Sequence, residues 1–436
     1  MKNATVYPLK LSQPLGGALA SLGIKGAIPI YHGPQGCTSF SVAFLTRHFR
    51  ELIPIQTTAL SEIATIIGDD FNLHEGIKNV INSRNPDIII ILSTGVSEVR
   101  GDDIEGGLKR FKEQYPEYSH IHIIFVSTPD FKGSLEDGFI AVLNKIIEEI
   151  PEAGEKIKNQ VNVIVSPFLT AGDIDEIREI ITYFGFYPII LPDLSETMSG
   201  SIDRFTLIPE GGPAIEDIRK MGRSEFTIAI GYGAKKPAQK LYDRFGIPVY
   251  EFYSLTEIES IDNFLKLLSQ LSGKDVPRKY IKQRKQLIDL MLDSHFYFTD
   301  KFISIALEPS HTLNIYKFIK ENLGINIETV VLPSKSEVSR YIKAENMVIG
   351  DLEDLKNSIS KSVVLFSNSH GYHVVKEKDL YLIKVGIPIF DEFGHFLKTY
   401  ISYKGAINIL SELATIFFHY DEDKSYEKFL IHSHQF

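Results

Sequence analysis

The residue with the most distinctive chemistry in this sequence is its single cysteine. Cys37 ends the run HGPQGC at 32–37, which follows a short apolar stretch and precedes a region of helical length. Gly33 and Gly36 in this run permit backbone shapes, or the close approach of another group, that a side chain would block. We therefore predict that Cys37 lies in a strand-to-helix turn, with a hydroxyl cap that starts the helix at residue 38 or 39.

Three interpretations of Cys37 stay open on the residues alone. A buried free cysteine behaves as a small hydrophobic residue. A thiolate favoured by the amide dipoles at a helix start can bind a metal or an iron–sulfur cluster. A nucleophile needs a base, and although His32 is near in the sequence, nothing else indicates a Cys–His pair. Because a cubane cluster takes four ligands, a ligand role for Cys37 requires further ligands from another chain or from other residue types.

Composition and charge exclude several classes of function. Lys and Arg number 46 against 56 Asp and Glu, so the formal charge is −10. An acidic chain lacks the basic face that nucleic acid or an acidic membrane surface requires. No run of about 18 apolar residues predicts a transmembrane helix, and the first residues do not resemble a secretory signal. One cysteine cannot form an internal disulfide, so we expect a cytoplasmic protein.

Ten short apolar runs predict strands, and they are continuous rather than alternating with polar residues. Such strands are typical of a parallel sheet that is buried on both faces. Amphipathic stretches of helical length separate them, for example at 72–84 and 134–150, which indicates βαβ units. In such sheets, ligands bind at the loops that follow the strands. The runs lie at 26–31, 88–93, 121–127, 161–165, 188–191, 226–230, 247–250, 302–307, 327–332 and 362–366.

The length and the linkers predict an α/β protein of three Rossmann-like domains, each an open parallel sheet with flanking helices. A chain of 436 residues suggests about three domains at roughly 150 residues each. The charged segment 151–160 resembles a linker, and the long helical pattern at 274–300 leads into a third unit. We predict boundaries at 1–155 for the domain with Cys37, 156–290 for the second, and 291–436 for the third with a C-terminal helix.

Six blocks along the chain resemble the nitrogenase component 1 family in their order and spacing. The first is LKLSQPLGGALASLGIKGAIPIYHGPQGCTSFSVAFLTRHFRE, from Leu9 to Glu51. The resemblance extends over nearly the whole chain and is looser between about 260 and 380. The other blocks are STGVSEVRGDDIEG (93–106), VSTPDFKGSLEDGF (126–139), LPDLSETMSG (191–200), EGGPAIEDIRKMG (210–222) and VGIPIFDEFG (385–394).

The cysteine pattern distinguishes between branches of this family. In the β subunit of the molybdenum–iron protein, three cysteines bind an eight-iron cluster at the subunit interface. By motif, the first falls on Cys37, but the other two fall on Ile55 and Gly95, which cannot ligate iron. A single retained cysteine is similar to the β-type subunit of the scaffold on which the nitrogenase iron–molybdenum cofactor is completed.

This resemblance implies a scaffold subunit in nitrogen fixation, with no catalytic residues of its own. Cys37 would be one ligand of a [4Fe-4S] cluster shared with a NifE-type α subunit, which would supply the other three and hold the cofactor precursor. Two α and two β subunits would form a heterotetramer, to which the nitrogenase Fe protein and cofactor-delivery proteins dock transiently. Gly36 and Gly95 would bring backbone close to the cluster, and Ser93 would donate a hydrogen bond to a sulfide.

Two other functions fit parts of the sequence. A nitrogenase-like oxidoreductase of the protochlorophyllide-reductase type has a similar β subunit, although an extra C-terminal segment would be expected there. A Rossmann-like binding protein without a cluster would keep Cys37 merely buried. Nucleotide binding by this chain is excluded, because the loop GYGA at 231–234 is followed by Lys236 where the motif requires glycine, and no Walker motif occurs.

Overall fold

The computed structural model of the chain describes residues 8–61, 70–199 and 208–433. Its strands form three sheets in which every recorded pairing is parallel. The predicted α/β class with open parallel sheets is therefore confirmed. The chain divides into an N-terminal unit, Lys10–Tyr253 with Pro388–Leu397, and a C-terminal unit, Met1–Leu9 with Ser254–Ile387 and Lys398–Phe436. The predicted boundaries of three domains stay a prediction.

The first sheet of the N-terminal unit has the strand order β2-β1-β3-β4. Its two inner strands, β1 and β3, are buried at every position, which explains their continuous apolar sequences. The elements are α1 (Gln13–Leu22), β1 (Ala27–His32), α2 (Gln35–Phe49), β2 (Gln56–Thr57), α3 (Phe71–Arg84), β3 (Ile88–Ser93), α4 (Gly95–Arg100), α5 (Ile104–Gln114), β4 (His122–Val126) and α6 (Leu135–Glu149).

The second sheet of this unit has the order β6-β5-β7-β8, and its inner strands β5 and β7 are again wholly buried. The charged segment before β5 contains no helix or strand, and it lies within the N-terminal unit. The elements are β5 (Gln160–Val165), α7 (Ala171–Tyr183), β6 (Tyr187–Leu191), α8 (Ser195–Ser199), α9 (Ile215–Lys220), β7 (Phe226–Ile230), α10 (Lys235–Phe245) and β8 (Val249–Phe252).

The C-terminal unit contains a five-stranded sheet of order β11-β10-β9-β12-β13. Helix α13 continues as a π-helical turn over Lys317–Asn322. The elements are α11 (Ile258–Ser272), α12 (Arg278–Ser294), β9 (Phe302–Ala306), α13 (Pro309–Tyr316), β10 (Asn326–Leu332), β11 (Asn346–Ile349), α14 (Leu352–Ser358), β12 (Val364–Ser367), α15 (Tyr372–Lys378), β13 (Tyr381–Lys384) and α16 (Ser402–Ser433). No helix in the described part of the chain is long and apolar enough to cross a membrane.

All ten predicted strands are present, and the three strands that the sequence did not predict lie at sheet edges. These are β2, β11 and β13, and each is exposed or half-buried at most positions. An edge strand has one neighbour and meets solvent, so it does not need a continuous apolar sequence. The search for continuous apolar runs, which identified the other ten strands, therefore misses these three.

A buried carboxylate organises the start of strand β12. Glu328 lies at an irregularity of β10, between Ile327 and Thr329, where the pairing register with β9 shifts. Its carboxylate accepts hydrogen bonds at 2.7–3.1 Å from the amides of residues 360–362 and from the hydroxyls of Ser360 and Ser362. Burial alone would raise the pKa of Glu328, but these hydrogen bonds outweigh it and lower the pKa.

We predict that Glu328→Gln destabilises the chain, because a Gln NH₂ group would face amide donors. The free energy of unfolding at pH 7 should fall by about 1–3 kcal/mol, measured by urea denaturation. A carboxyl whose folded pKa is lowered stabilises the fold above the unfolded pKa, about 4.3, and this stabilisation is lost as pH falls through the folded pKa. The difference between variant and wild type should therefore shrink in acid.

Glu345→Gln provides the matched control. Glu345 accepts from the Lys361 ammonium in a partly exposed ion pair, so its loss should cost no more than about 0.5 kcal/mol. An equal loss of stability in the two variants would show that the hydrogen bonds to Glu328 have no special weight.

Candidate metal centre

Helix α2 begins at Gln35, so Cys37 lies within its first turn. The predicted start at residue 38 or 39 is wrong. Pro34 occupies the cap position with an extended backbone, and its fixed φ leads directly into the helix without a hydroxyl cap. Thr38 is buried inside the first turn instead of capping it. Cys37 itself is half-buried, while Gly36 beside it is exposed.

The turn that carries Cys37 is fixed between the ends of neighbouring strands. A Cβ on Gly33 would lie 2.3 Å from the Thr94 hydroxyl oxygen, so only glycine permits this approach. That hydroxyl donates to the carbonyl of His32 at 3.1 Å, and the Thr57 hydroxyl donates to the carbonyl of Gly33 at 3.1 Å. The backbone before Cys37 is therefore held by β2 on one side and by the loop after β3 on the other.

His32 is engaged in a hydrogen-bond network of its own. Its Nε2 lies 3.2 Å from an Asp102 carboxylate oxygen, and its Nδ1 lies 3.1 Å from the Thr58 hydroxyl. Arg100 pairs with the same Asp102. Burial lowers the pKa of His32, although the Asp102 carboxylate opposes the shift. Both ring nitrogens have partners other than Cys37, so the structure offers no support for a Cys–His nucleophile.

The environment of Cys37 does not favour a free thiolate. Burial raises the pKa of the Cys37 thiol, the Asp130 carboxylate raises it further, and a backbone hydrogen bond at the helix start lowers it. The raising effects prevail over the contribution of the helix start, which acts in the expected direction. Within the described residues, no group of three or more His, Cys, Asp or Glu side chains is placed to hold a metal ion.

The other two predicted site residues lie at the end of β3. The Gly95 amide donates to the Asp130 carboxylate at 2.9 Å. The buried Ser93 hydroxyl donates to a Glu98 carboxylate oxygen and accepts from the Thr128 amide at 2.7 Å. Its proton is thus directed at Glu98 in this structure, and a hydrogen bond from Ser93 to a sulfide stays a prediction.

Asp130 belongs to this site, although sequence reasoning did not single it out. It follows β4, and the loops after β1, β3 and β4 lie at the same edge of the first sheet. Its position in the sequence could have identified Asp130, because polar residues that follow parallel strands gather at this edge of the sheet. Cys37, Gly95 and Asp130 therefore come from three neighbouring strand ends.

A family model described as nitrogenase component 1 type oxidoreductase matches residues 12–418. The chain belongs to the nitrogenase component 1 family. Its relatives include the nitrogenase iron-molybdenum cofactor biosynthesis protein NifN of Nostoc sp., which is 41% identical over 97% of this chain and 95% of that protein. The protein of the same name from Bradyrhizobium diazoefficiens is 39% identical over 97% of this chain and 92% of its own length.

A solved structure of nitrogenase Cp1 at pH 6.5 has the same fold. It aligns with a TM-score of 0.90 at 29% identity and covers 97% of this chain and 95% of its own. The resemblance to the nitrogenase component 1 family, and within it to the NifN proteins, is confirmed. The ligand role of Cys37 stays a prediction.

Three exposed apolar side chains follow the three strands that lead to this site. Phe40 on α2 is 82% exposed, Val99 on α4 is 78% exposed, and Phe131 after β4 is 57% exposed. Scattered apolar residues are ordinary on a protein surface, but a group at one sheet edge is typical of an interaction surface. We call Phe40, Val99 and Phe131 the strand-end apolar group.

The C-terminal end of α2 is held by the segment 388–397, which belongs to the same unit. The Arg47 guanidinium lies 4.0 Å from the centre of the Phe390 ring. His48 is buried, its Nδ1 accepts from the Ile389 amide at 3.0 Å, and its ring lies 4.6 Å from that of His395. His48 at this helix end is therefore shielded from solvent, because a segment distant in sequence covers it.

We predict that His48 makes the stability of the N-terminal unit sensitive to mild acid. Burial, with a smaller effect of His395, lowers the pKa of His48 to about 3. The unfolded chain binds a proton near pH 6.5 and the folded chain does not, so stability is lost as pH falls below about 6.5. His48→Asn keeps an acceptor for Ile389 and removes the titration.

Urea denaturation at pH 7 and pH 5 tests this. Wild type should lose about 1–2 kcal/mol more than His48→Asn over this interval. His120→Asn is the control, because it makes the same substitution at an exposed histidine. Equal losses in wild type and His48→Asn would contradict the prediction.

Proposed function

We propose that this chain is the β-type subunit of a scaffold on which the nitrogenase iron–molybdenum cofactor matures. Cys37 would be its one ligand to a [4Fe-4S] cluster shared with a NifE-type α subunit. The observation that carries the proposal is a single, half-buried cysteine at the strand-end edge of a chain similar over nearly its whole length to proteins named NifN. One thiolate supplies one of the four ligands that such a cluster takes.

The residues around Cys37 fit a shared cluster. A Cβ built on Gly36 meets no atom within 4 Å, so there is open space at the helix position directly before Cys37. A thiolate is the ligand type that iron–sulfur clusters require. The backbone before Cys37 is fixed by Gly33 and Thr94, so the thiol is presented at a defined position. A bound cluster would supply electron transfer at this edge.

The chain's own contribution is to bind, orient and exclude water. Cys37 would hold one iron, while the strand-end apolar group would pack against the α subunit and keep water from the cluster. Burying apolar side chains at such a contact stabilises association. Although the pKa of the Cys37 thiol is raised, cluster binding would deprotonate the thiol, because iron replaces its proton.

The remaining parts of the proposal concern the assembly. The α subunit would hold the cofactor precursor, and two copies of each subunit would form a heterotetramer in the cytoplasm. The nitrogenase Fe protein and cofactor-delivery proteins would dock transiently. The relatives named NifN favour this function over a protochlorophyllide-reductase type of oxidoreductase.

We predict that Cys37→Ala removes or distorts the cluster without preventing assembly. The chain should be co-expressed with a NifE-type α subunit, purified without oxygen, and measured for iron content and EPR spectrum. Ser39→Ala is a matched control, because Ser39 is exposed two positions further along α2. Unchanged iron and spectrum in Cys37→Ala would reject the ligand role, and a wild-type complex without iron would reject the scaffold proposal.

We also predict that Phe40→Glu weakens binding of the α subunit, because it places a charge in the strand-end apolar group. The dissociation constant should rise at least about tenfold, which corresponds to about 1.4 kcal/mol. Sedimentation of the mixed subunits measures it. Tyr242→Glu on α10 changes another exposed aromatic and should have no effect. The surface assignment is wrong if the two variants bind equally well.

A further inference from the structure

Asp130 is a second charged group at the site of Cys37. Its carboxylate accepts from the Gly95 amide at 2.9 Å, and Gly95 is the first residue of α4. The same carboxylate acts electrostatically on the Cys37 thiol. Asp130 is therefore fixed by a backbone amide at the strand-end edge of the first sheet, which is also the edge that carries Cys37.

The carboxylate is only partly compensated within the described residues. Asp130 is half-buried, and the Gly95 amide is the one hydrogen-bond donor that the described part of the chain provides. Lys10 acts on it electrostatically, but no ion pair with a described Lys or Arg forms. Withdrawing a carboxylate from water without a paired cation is unfavourable. The partly compensated Asp130 carboxylate therefore indicates that its charge acts on a group that binds beside it.

Tyr31 connects the two groups. It is fully buried in β1, and its hydroxyl donates to Ser41 of α2 at 3.0 Å, close to the first turn that contains Cys37. Burial raises the pKa of the Tyr31 hydroxyl, and Asp130 and Cys37 each raise that pKa a little further. Cys37 follows β1 and Asp130 follows β4 at the same edge of the first sheet, so a cluster bound to Cys37 would lie within range of the Asp130 charge.

We propose that the Asp130 carboxylate faces the cluster bound by Cys37 and keeps its reduction potential low without ligating iron. The inference rests on the proposed function. The net charge around a cluster is one of the factors that set its potential, and a nearby anion disfavours the addition of an electron. Three thiolates from the partner and one from Cys37 fill the four iron positions, so the carboxylate is not needed as a ligand.

Asp130→Asn tests the proposal, because Asn keeps an acceptor for Gly95 and removes only the charge. The oxygen-free complex with the α subunit is titrated with dithionite, which donates one electron per cluster, and the reduced cluster is followed by EPR. At a fixed potential, the ratio of reduced to oxidised cluster should rise about three- to tenfold. A tenfold change corresponds to about 59 mV for one electron. Iron content and signal shape should match wild type.

Two further variants separate charge from structure. Asp130→Glu retains the charge and should titrate close to wild type. Asp243→Asn removes an exposed carboxylate on α10 that accepts from Gln239, and it should leave the ratio unchanged. Gel filtration confirms that each complex assembles.

Each other outcome has a distinct meaning. An unchanged ratio in Asp130→Asn overturns the inference and leaves the scaffold function in place. Loss of iron or a changed signal shape in Asp130→Asn also overturns it, because the carboxylate would then be a ligand. If wild type contains no iron, or Cys37→Ala matches wild type, the proposed function itself fails.

Discussion

Burial of both faces of the parallel strands is the constraint on which this structure depends. Strands β1 and β3 have no exposed position, so their sequences are apolar along most of their length and carry His32 and Ser93 only at their last positions. Reactive and charged side chains are left to the loops at the strand ends. Cys37, Gly95 and Asp130 follow three neighbouring strands, and this is why they lie at one sheet edge although more than ninety residues separate the first from the last.

The same constraint determines how much of the fold the sequence predicts. Inner strands are recognisable because they are continuously apolar, and the edge strands β4, β6 and β8 are also recognised, whereas the short edge strands β2, β11 and β13 escape the rule. The start of α2 was misplaced for another reason. Hydroxyl residues at 38 and 39 suggested a cap, but Pro34 starts the helix by backbone geometry alone, and Thr38 is buried. A proline and a hydroxyl residue can each mark the start of a helix. Which of them does so depends on whether the hydroxyl side chain is buried by packing.

The candidate site was predictable only in part. The position of Cys37 after a strand follows from local sequence, and the need for external ligands follows from counting cysteines. Its surroundings do not. The Asp130 charge and the His48–Ile389 hydrogen bond join residues far apart in the chain, so no local pattern contains them. The thiol pKa illustrates the consequence, because tertiary burial outweighs the effect of the helix start that the sequence suggested.

These features share one physical property: they are less favourable in an isolated chain than beside a partner. Phe40 and Val99 expose apolar surface to water, and the half-buried Cys37 and Asp130 place two acidic groups close together. Covering the apolar side chains stabilises a complex, and iron bound to Cys37 replaces the thiol proton. In the proposed assembly, cluster binding and subunit association therefore strengthen each other. The cluster takes ligands from both subunits, and the subunit contact covers the apolar side chains around it.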